Sequence, residues 1–413
     1  MSTARARRPA RRKGAPRVGL ALAGGGPLGA IYEIGALCAL DESVPGLDFN
    51  DLAGYVGVSA GGFIAAGLAN GLSPRQLCTS FIENQGPRAD IVRPSLFIRP
   101  ALAEYAHRAA MLPGLVGQAA LQLAFGRHSL LAAAERLGRA LPTGFFTHAA
   151  LEAQMRRMLS APGRSNDFRR LKHPLVLVAT DLDTGTAAPF GKPGWDHVPI
   201  SQAVAASAAL PGLFAPVPID GRWYVDGALK KTLHASVLLD MDVDLVLCLN
   251  PLVPFTSTED GPHRVAADKG ERIPHLVAGG LPVVLAQTFR SLIHSRLELG
   301  LKGYERSHPG VDILLFEPDR RDPEMFLANT FSYAERRLLA EHAYQQTRAD
   351  LRSRRSHVAA TLAAHGLTLD HAVLDDPRRR LLATRRHLGS VAERTLTRLD
   401  EVLDDLEGTL AAR

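Results

Sequence analysis

Two glycine-rich segments near the start of the chain each follow a short apolar run and each precede a helix-like stretch. The first is Gly-Gly-Gly-Pro-Leu-Gly at residues 24–29, and the second is Gly-Val-Ser-Ala-Gly at residues 57–61. Glycines permit the sharp strand-to-helix turns that other residues resist. Because the order of strand, glycine loop and helix occurs twice in succession, it predicts an α/β fold with parallel strands.

The other apolar runs extend this pattern. Strands are predicted at residues 18–23, 53–58, 175–179, 222–225, 245–249 and 311–316, and helices at residues 27–40, 60–68, 200–210 and 229–239. No strand is predicted between residues 72 and 159, where alanine- and leucine-rich sequence indicates a helical insertion that packs on the sheet edge or forms a lid. The predicted fold is a three-layer α/β sandwich with a mostly parallel central sheet.

The sequence predicts three segments. Residues 1–17 form a disordered basic tail, residues 18–320 an α/β domain that includes the 72–159 insertion, and residues 321–413 a helical C-terminal extension with charged, solvated faces. A chain of 413 residues with 46% apolar composition can bury at least one large core. Residues 254–274 are rich in proline, glycine and charge, which predicts an exposed loop.

The positive charge of the chain is concentrated in the tail. Seven cations and no acid precede Val18, and without them the formal net charge of +6 becomes −1. Such a segment has too little apolar surface to fold, so it is either an inert leader or a polybasic contact. Of the anionic surfaces it could contact, we expect a membrane rather than nucleic acid.

The cellular location is predicted from two features. No apolar run is long enough for a membrane span or a secretory signal. Cys38, Cys78 and Cys248 are odd in number, widely spaced and in apolar surroundings, which predicts reduced core cysteines rather than disulfides or a zinc site. We therefore expect a cytoplasmic protein with peripheral membrane contact through its tail.

The second glycine segment has the G-x-S-x-G pattern of a nucleophile elbow. In such an elbow, a strained turn after a strand lifts a serine hydroxyl clear of the backbone, and here that serine is Ser59. The backbone N–H groups of Gly25 and Gly26, near a helix start, are predicted to form the oxyanion hole. Asp226 lies at another predicted strand end and is the candidate base for Ser59.

Two other interpretations of these motifs are open on the residues alone. Gly24, Gly26 and Gly29 also fit the G-x-G-x-x-G pattern of dinucleotide enzymes, but the acid expected at the end of the second strand is replaced by the elbow. Histidine is the usual base for serine, but His234 would lie about 12 Å from Asp226 if both flanked one helix. A carboxylate base is the simpler hypothesis.

With these motifs the chain resembles the patatin-like phospholipases, which are lipid acyl hydrolases with a Ser-Asp dyad. The resemblance covers about residues 18–318 and rests on five motifs in order: residues 24–29, 57–61, 179–185 (Ala-Thr-Asp-Leu-Asp-Thr-Gly), 206–214 (Ala-Ser-Ala-Ala-Leu-Pro-Gly-Leu-Phe) and 226–228 (Asp-Gly-Ala). It implies that Ser59 attacks the ester and that Asp226 acts as base without a histidine. The supporting positions in these motifs are Gly24, Gly29, Gly57, Gly61 and Gly227.

The resemblance implies hydrolysis of phospholipid or lysophospholipid acyl esters, with no cofactor and no metal. One position departs from the family pattern, because Leu28 stands where the oxyanion loop commonly carries arginine or lysine. A catalytically weak or inactive lipid-binding protein on the same fold is therefore the alternative. The acyl chain length, the headgroup, the choice between hydrolysis and acyl transfer, and the oligomeric state are left open.

Overall fold

The computed structural model describes residues 16–124, 137–256, 263–264, 272–273, 275–322, 325 and 333–382. The strands are β1 (Val18–Leu22), β2 (Gly54–Gly57), β3 (Gly144–Phe146), β4 (Leu175–Asp181), β5 (Ala187–Phe190), β6 (Gly212–Phe214), β7 (Val217–Ile219), β8 (Arg222–Asp226), β9 (Leu245–Leu249), β10 (His263–Arg264), β11 (Arg272–Ile273) and β12 (Asp312–Phe316). The helices are α1 (Gly26–Ser43), α2 (Ala60–Ala69), α3 (Pro74–Leu77), α4 (Leu102–Ala124), α5 (Ala149–Leu159), α6 (Ile200–Ser207), α7 (Ser236–Leu239), α8 (Gly280–Ser307), α9 (Tyr333–Ser353), α10 (Arg355–Ala364) and α11 (His371–Asp375).

An eight-stranded sheet forms the centre of the molecule. Its order is β12-β9-β1-β2-β4-β8-β7, and β5 pairs with β4 beside this path. The five strands from β12 to β4 are parallel, whereas β5 and β8 run antiparallel to β4 and β7 runs antiparallel to β8. The predicted mostly parallel sheet is confirmed.

Strand β4 has two neighbours on one of its edges. Gly57 at the end of β2 pairs with Leu177, and Asp226 at the end of β8 pairs with Ala179. Since β2 is parallel to β4 and β8 is antiparallel, the two strands run toward each other and their carboxyl ends meet beside the middle of β4. Strand β5 takes the opposite edge.

Helices cover both faces of the sheet, as a three-layer sandwich requires. Leu20 and Leu22 of β1 point into a large core that includes α1, α2 and α9, whereas Ala21 points into a smaller core under α7 and α8. This alternation follows from the two-residue period of a strand, and it makes both faces of the parallel strands apolar. Cys38, Cys78 and Cys248 are free and buried, as predicted.

The C-terminal helices pack on the α/β layers. Helix α9 crosses α1 closely at Gly35. A Cβ at this glycine would lie only 2.6 Å from the carbonyl oxygen of Ala340. Tyr344 of α9 is fully buried, and its hydroxyl donates to Glu42 at 2.7 Å. The described part of the predicted extension therefore shares the large core instead of projecting into solvent.

Several local expectations differ from the structure. A strand, β3, lies inside the 72–159 segment, where it pairs with β6; this partner is distant in sequence and is not visible in local periodicity. The helix predicted at residues 229–239 is reduced to α7, because His234 adopts a left-handed φ of 46° that interrupts it. Strands β5, β6 and β7 were also not predicted.

Some predictions fall outside the described residues. These include nearly all of the basic tail, most of the 254–274 loop and the chain from residue 383 onward. Among the helices that the structure describes, none has the length and apolar character needed to cross a membrane.

Candidate active site

Ser59 occupies a strained turn between β2 and α2. Its backbone has φ 54° and ψ −123°, which is rare for a residue with a side chain. The glycines two residues away on either side permit this geometry: a Cβ at Gly57 would lie 2.6 Å from the carbonyl oxygen of Gly61, and one at Gly61 would lie 2.5 Å from that of Ala23. The elbow predicted from the G-x-S-x-G pattern is present.

A second serine holds the elbow in place. The N–H of Ser59 donates to the hydroxyl of Ser207 at 2.9 Å, and that hydroxyl donates to the carbonyl oxygen of Val178 at 2.6 Å. Val178 lies in β4 between the residues that pair with β2 and β8. Ser207 therefore bridges the gap between the two converging strands and fixes the backbone of Ser59 to the sheet.

Asp226 lies at the end of β8 and is 3% exposed. Its carboxylate accepts a hydrogen bond from the N–H of Ala228 at 2.8 Å. Burial raises the pKa of Asp226 to about 6, although hydrogen bonds from the Ala228 N–H and the Ser59 side chain act in the opposite direction. The carboxylate is thus within hydrogen-bonding reach of Ser59 and is more basic than an exposed aspartate.

Glycine is required next to Asp226 by close backbone packing. A Cβ at Gly227 would lie 2.1 Å from the carbonyl oxygen of Val178. The N–H of Asp226 itself donates to Ala209 at 2.9 Å, and the Thr180 hydroxyl donates to the Asp226 carbonyl oxygen at 3.2 Å. These contacts fix Asp226 through its backbone and leave its side chain directed at Ser59.

The first glycine segment lies beside Ser59. A Cβ at Gly24 would be 3.1 Å from the Ser59 Cβ, so the loop and the elbow are in direct contact. Helix α1 begins at Gly26, and Gly29 donates to the carbonyl oxygen of Gly25 at 2.9 Å. The first N–H groups of a helix have no partner inside that helix, and its dipole favours negative charge there.

An apolar pocket opens over Ser59. It encloses about 450 Å³, including the solvent at its mouth, and its lining is almost entirely aromatic and aliphatic. Residues from both helix starts contribute, namely Gly26 and Pro27 from α1 and Ala60 from α2. Among the described residues, no cluster of three or more His, Cys, Asp or Glu side chains is arranged to hold a metal ion.

Three residues of this site were not identified from the sequence. Ser207 belongs to a recognised motif, but its bond to Ser59 joins positions 148 residues apart. Ala60 follows Ser59 and lines the pocket, so its N–H is a further oxyanion candidate. His148 also lines the pocket, and its ring stacks on Phe214 with centroids 4.1 Å apart; it follows β3, which no local pattern indicated.

His234 and Leu28, which were considered from the sequence, do not line the pocket, whereas His148 does. His234 is buried and hydrogen-bonded to the backbone of Gly227, and burial lowers its pKa to about 4. Burial likewise lowers the pKa of His148 to about 4, so both rings are neutral near pH 7. Leu28, at the position of the usual cation, is 4% exposed and belongs to the large core.

The patatin-like phospholipase family model matches residues 20–239. The chain belongs to this family. The matched segment contains both glycine loops, Ser207 and Asp226, so it includes every residue brought together around the pocket mouth by β2 and β8.

Relatives and solved structures resemble shorter parts of the chain or resemble it weakly. Uncharacterized NTE family proteins of Mycobacterium bovis and Mycobacterium tuberculosis are 32% identical over 99 residues, which is 24% of this chain and 25% of theirs. VipD from Legionella pneumophila matches with a TM-score of 0.34 and 17% identity over 82% of this chain and 67% of its own. ExoU of the Pseudomonas aeruginosa type III secretion system, in complex with SpcU, matches with a TM-score of 0.28 and 16% identity over 70% of this chain and 53% of that one.

Proposed function

We propose that this protein is a serine acyl hydrolase that cleaves lipid acyl esters through a Ser59–Asp226 dyad. The observation that carries the proposal is the convergence of β2 and β8 on one edge of β4, which places the elbow serine against a buried aspartate. A nucleophile within hydrogen-bonding reach of its base is the arrangement that covalent catalysis requires.

The first half of the proposed reaction forms an acyl-enzyme. The proton of the Ser59 hydroxyl passes to the Asp226 carboxylate while Oγ bonds to the ester carbonyl carbon. The N–H groups of Gly25 and Gly26, with that of Ala60, stabilise the negative oxygen of the tetrahedral intermediate. The bond to the leaving alcohol then breaks, and the alcohol takes the proton from Asp226.

The second half restores the enzyme. Water gives a proton to Asp226 as its oxygen attacks the acyl carbon, and the bond between that carbon and Ser59 breaks. Ser59 recovers the proton from Asp226, and the fatty acid leaves. All the groups that act belong to the chain, so neither a metal nor a redox cofactor takes part in this scheme.

The pocket supports an acyl chain as the part of the substrate that is bound. Its described lining carries no charged side chain, and it is built from residues such as Phe63, Phe81 and Leu151. An apolar chain gains free energy when it leaves water for such a pocket, at about 0.8 kcal/mol per methylene. Phospholipid or lysophospholipid is therefore the proposed substrate class, with the headgroup outside the pocket.

We also propose a domain organisation in which residues 18–320 form the hydrolase domain and residues 72–159 its insertion. Residues 321–413 are the C-terminal extension, of which the described part buttresses α1 through Gly35. The basic tail of residues 1–17 is proposed to bring the protein to anionic membrane, where the substrate resides.

The alternative is a lipid-binding protein with weak or absent catalysis. Leu28 favours it, because the cation usual at this position is replaced by a leucine that packs into the core. The backbone donors at Gly25 and Gly26 do not depend on that side chain, so the hydrolase is the stronger proposal.

A comparison of three proteins tests the proposal. We expect the wild type to hydrolyse p-nitrophenyl esters and phospholipid, and both Ser59→Ala and Asp226→Asn to lose at least about 1000-fold in kcat, as removal of a nucleophile or its partner does elsewhere. A serine-directed fluorophosphonate probe should label the wild type but not Ser59→Ala. Inert wild type at matched folding would leave the lipid-binding alternative in place, whereas full activity of Ser59→Ala would rule out Ser59 as the nucleophile.

A further inference from the structure

Helix α4 presents an apolar face to solvent. Leu102, Val116 and Leu121 are 70%, 51% and 59% exposed, while Leu115 and Ala119 on the opposite side are buried. The only acid and the only arginine among its residues, Glu104 and Arg108, pair at 2.9 Å and are each about one-fifth exposed. Most other exposed positions of α4 are alanine or glycine.

The segment that leads into α4 lies beside the Ser59 pocket. The N–H of Ala101, directly before α4, donates to Phe145 at 3.1 Å, and the N–H of Thr147 donates to Arg99 at 2.9 Å. Phe145 is 57% exposed, and the next ring, Phe146, lies 6.1 Å from Phe214 in the pocket wall. The exposed Phe145 and the start of α4 thus lie close to the pocket wall.

The surroundings of this face are positively charged. The described residues from 88 to 157 contain seven arginines and three acids. Each acid is paired with an arginine: Asp90 with Arg164, Glu104 with Arg108, and Glu152 with Arg156. Arg99 is exposed and precedes Leu102 by three residues, and the carbonyl oxygen of the exposed Arg139 accepts a hydrogen bond from Arg108 of α4 at 2.8 Å.

We propose that α4, together with Phe145 and the 43% exposed Ile98, docks on the surface of an anionic phospholipid bilayer. The inference rests on the proposed function in one respect, because it names the surface from which the pocket would draw its substrate. An apolar helix face bordered by arginines is the arrangement that binds at a lipid interface, with the apolar side chains among the acyl chains and the cations among the phosphates.

The positive charge around this face also favours an anionic bilayer over a second copy of the chain as the partner that covers it. A second copy of the chain, joined through the same face, would bring one arginine border against another. Residues of this chain that the structure does not describe are a third candidate. That occupant would make the face part of the folded core, so polar substitutions there would lower the melting temperature, whereas docking on a bilayer predicts little change.

Vesicle binding tests the proposal, with Ser59→Ala as the background so that the lipid is not consumed. The probe is vesicles of phosphatidylcholine with and without phosphatidylglycerol. We expect binding to the anionic vesicles, and a loss of about 10- to 100-fold when Leu102, Val116 and Leu121 are all replaced by glutamine. Leu102→Gln alone should weaken binding, whereas Leu338→Gln, at a 63% exposed position of α9, should not.

A second pair of variants tests the charge. Arg99→Gln and Arg139→Gln should each lower the affinity for anionic vesicles by about fivefold, less in high salt, and should not affect binding to neutral vesicles. Vesicle binding unchanged in the triple variant, or binding lost together with a lowered melting temperature, would overturn the proposal.

Hydrolysis separates this inference from the proposed function. On the wild-type background, the triple variant should lose activity on vesicle phospholipid while its kcat/KM on a water-soluble ester stays within about twofold. Ester hydrolysis without vesicle binding would remove the docking surface and leave the hydrolase. Vesicle binding without hydrolysis of any ester would remove the hydrolase and leave the docking surface.

Discussion

Helices α2 and α4 have similar compositions and opposite environments. Both are apolar and rich in alanine, yet α2 is buried from Gly61 to Ala69 and α4 is exposed on most of its surface. Helix α2 follows the elbow, and at its Gly61 neighbouring backbone comes within 3 Å of where a Cβ would be. The apolar residues of α2 thus allow close packing against the sheet. Those of α4 form an exposed surface that we propose is covered by lipid.

The same substitution should have opposite effects in the two helices. Gly61→Ala places a Cβ 2.5 Å from the Ala23 carbonyl oxygen, so we expect it to lower the free energy of unfolding by roughly 3–5 kcal/mol and to abolish ester hydrolysis. Gly117→Ala in α4 meets no atom within 4 Å and should raise stability by about 0.5–1 kcal/mol. Urea denaturation measures both, and a tolerated Gly61→Ala would contradict the close packing of the elbow.

Removal of a charge should affect stability more at the buried Asp226 than at Glu104 of α4. The pKa of Asp226 is raised to about 6 in the folded protein. Between about pH 4 and 6, therefore, Asp226 is protonated in the folded protein but ionised in the unfolded chain. The free energy of unfolding falls as the pH rises through this range. Asp226→Asn should therefore be more stable than the wild type at pH 7, by on the order of 3 kcal/mol, while ester hydrolysis is lost.

The pH profile and a control complete this test. Hydrolysis by the wild type should rise with pH through about 6, because the base must be ionised. Glu104→Gln in α4 breaks a partly exposed ion pair and should change stability by less than about 1 kcal/mol. A flat rate profile between pH 5 and 7 would argue against Asp226 as the base.

The smallest expected difference in stability is between the loss of the Ser207 hydroxyl beside Ser59 and the loss of the Thr143 hydroxyl beside α4. Ser207→Ala leaves the N–H of Ser59 and the carbonyl oxygen of Val178 without their partner, and we expect it to cost about 1–3 kcal/mol in stability. Because Ser207 bonds to the backbone of Ser59 and is not among the residues that line the pocket, kcat should fall about 10- to 100-fold with little change in KM. Thr143→Ala, which removes an exposed bond to Glu104, is the control and should leave both unchanged.

The candidate site was predictable where it depends on local backbone geometry. Gly57 and Gly61 are needed because a side chain would collide with neighbouring backbone, and that requirement is visible in the residue types themselves. The order of strands and helices around Ser59 followed in the same way from apolar runs bounded by glycine. Asp226 was identifiable from its place at a strand end and from the family motif.

The parts that were not predictable depend on contacts between distant segments. Strand β3 exists because it pairs with β6, and His148 reaches the pocket because it follows that strand. The 229–239 segment has helical sequence, but only α7 forms there, since His234 interrupts it with a left-handed φ. At β3 long-range pairing overrides local propensity, and at residues 229–239 the backbone conformation of His234 does.

The sequence by itself determined the fold class, the elbow around Ser59 and the apolar composition of both helices, because these follow from backbone freedom and the apolar pattern. Only the tertiary structure decided that β2 and β8 meet on one edge of β4, that Ser207 links them, and that α2 is buried while α4 is exposed. The physical reason is that burial and convergence are properties of neighbours in space, and residues that become neighbours here, such as Ser59 and Ser207, lie 148 positions apart in the chain.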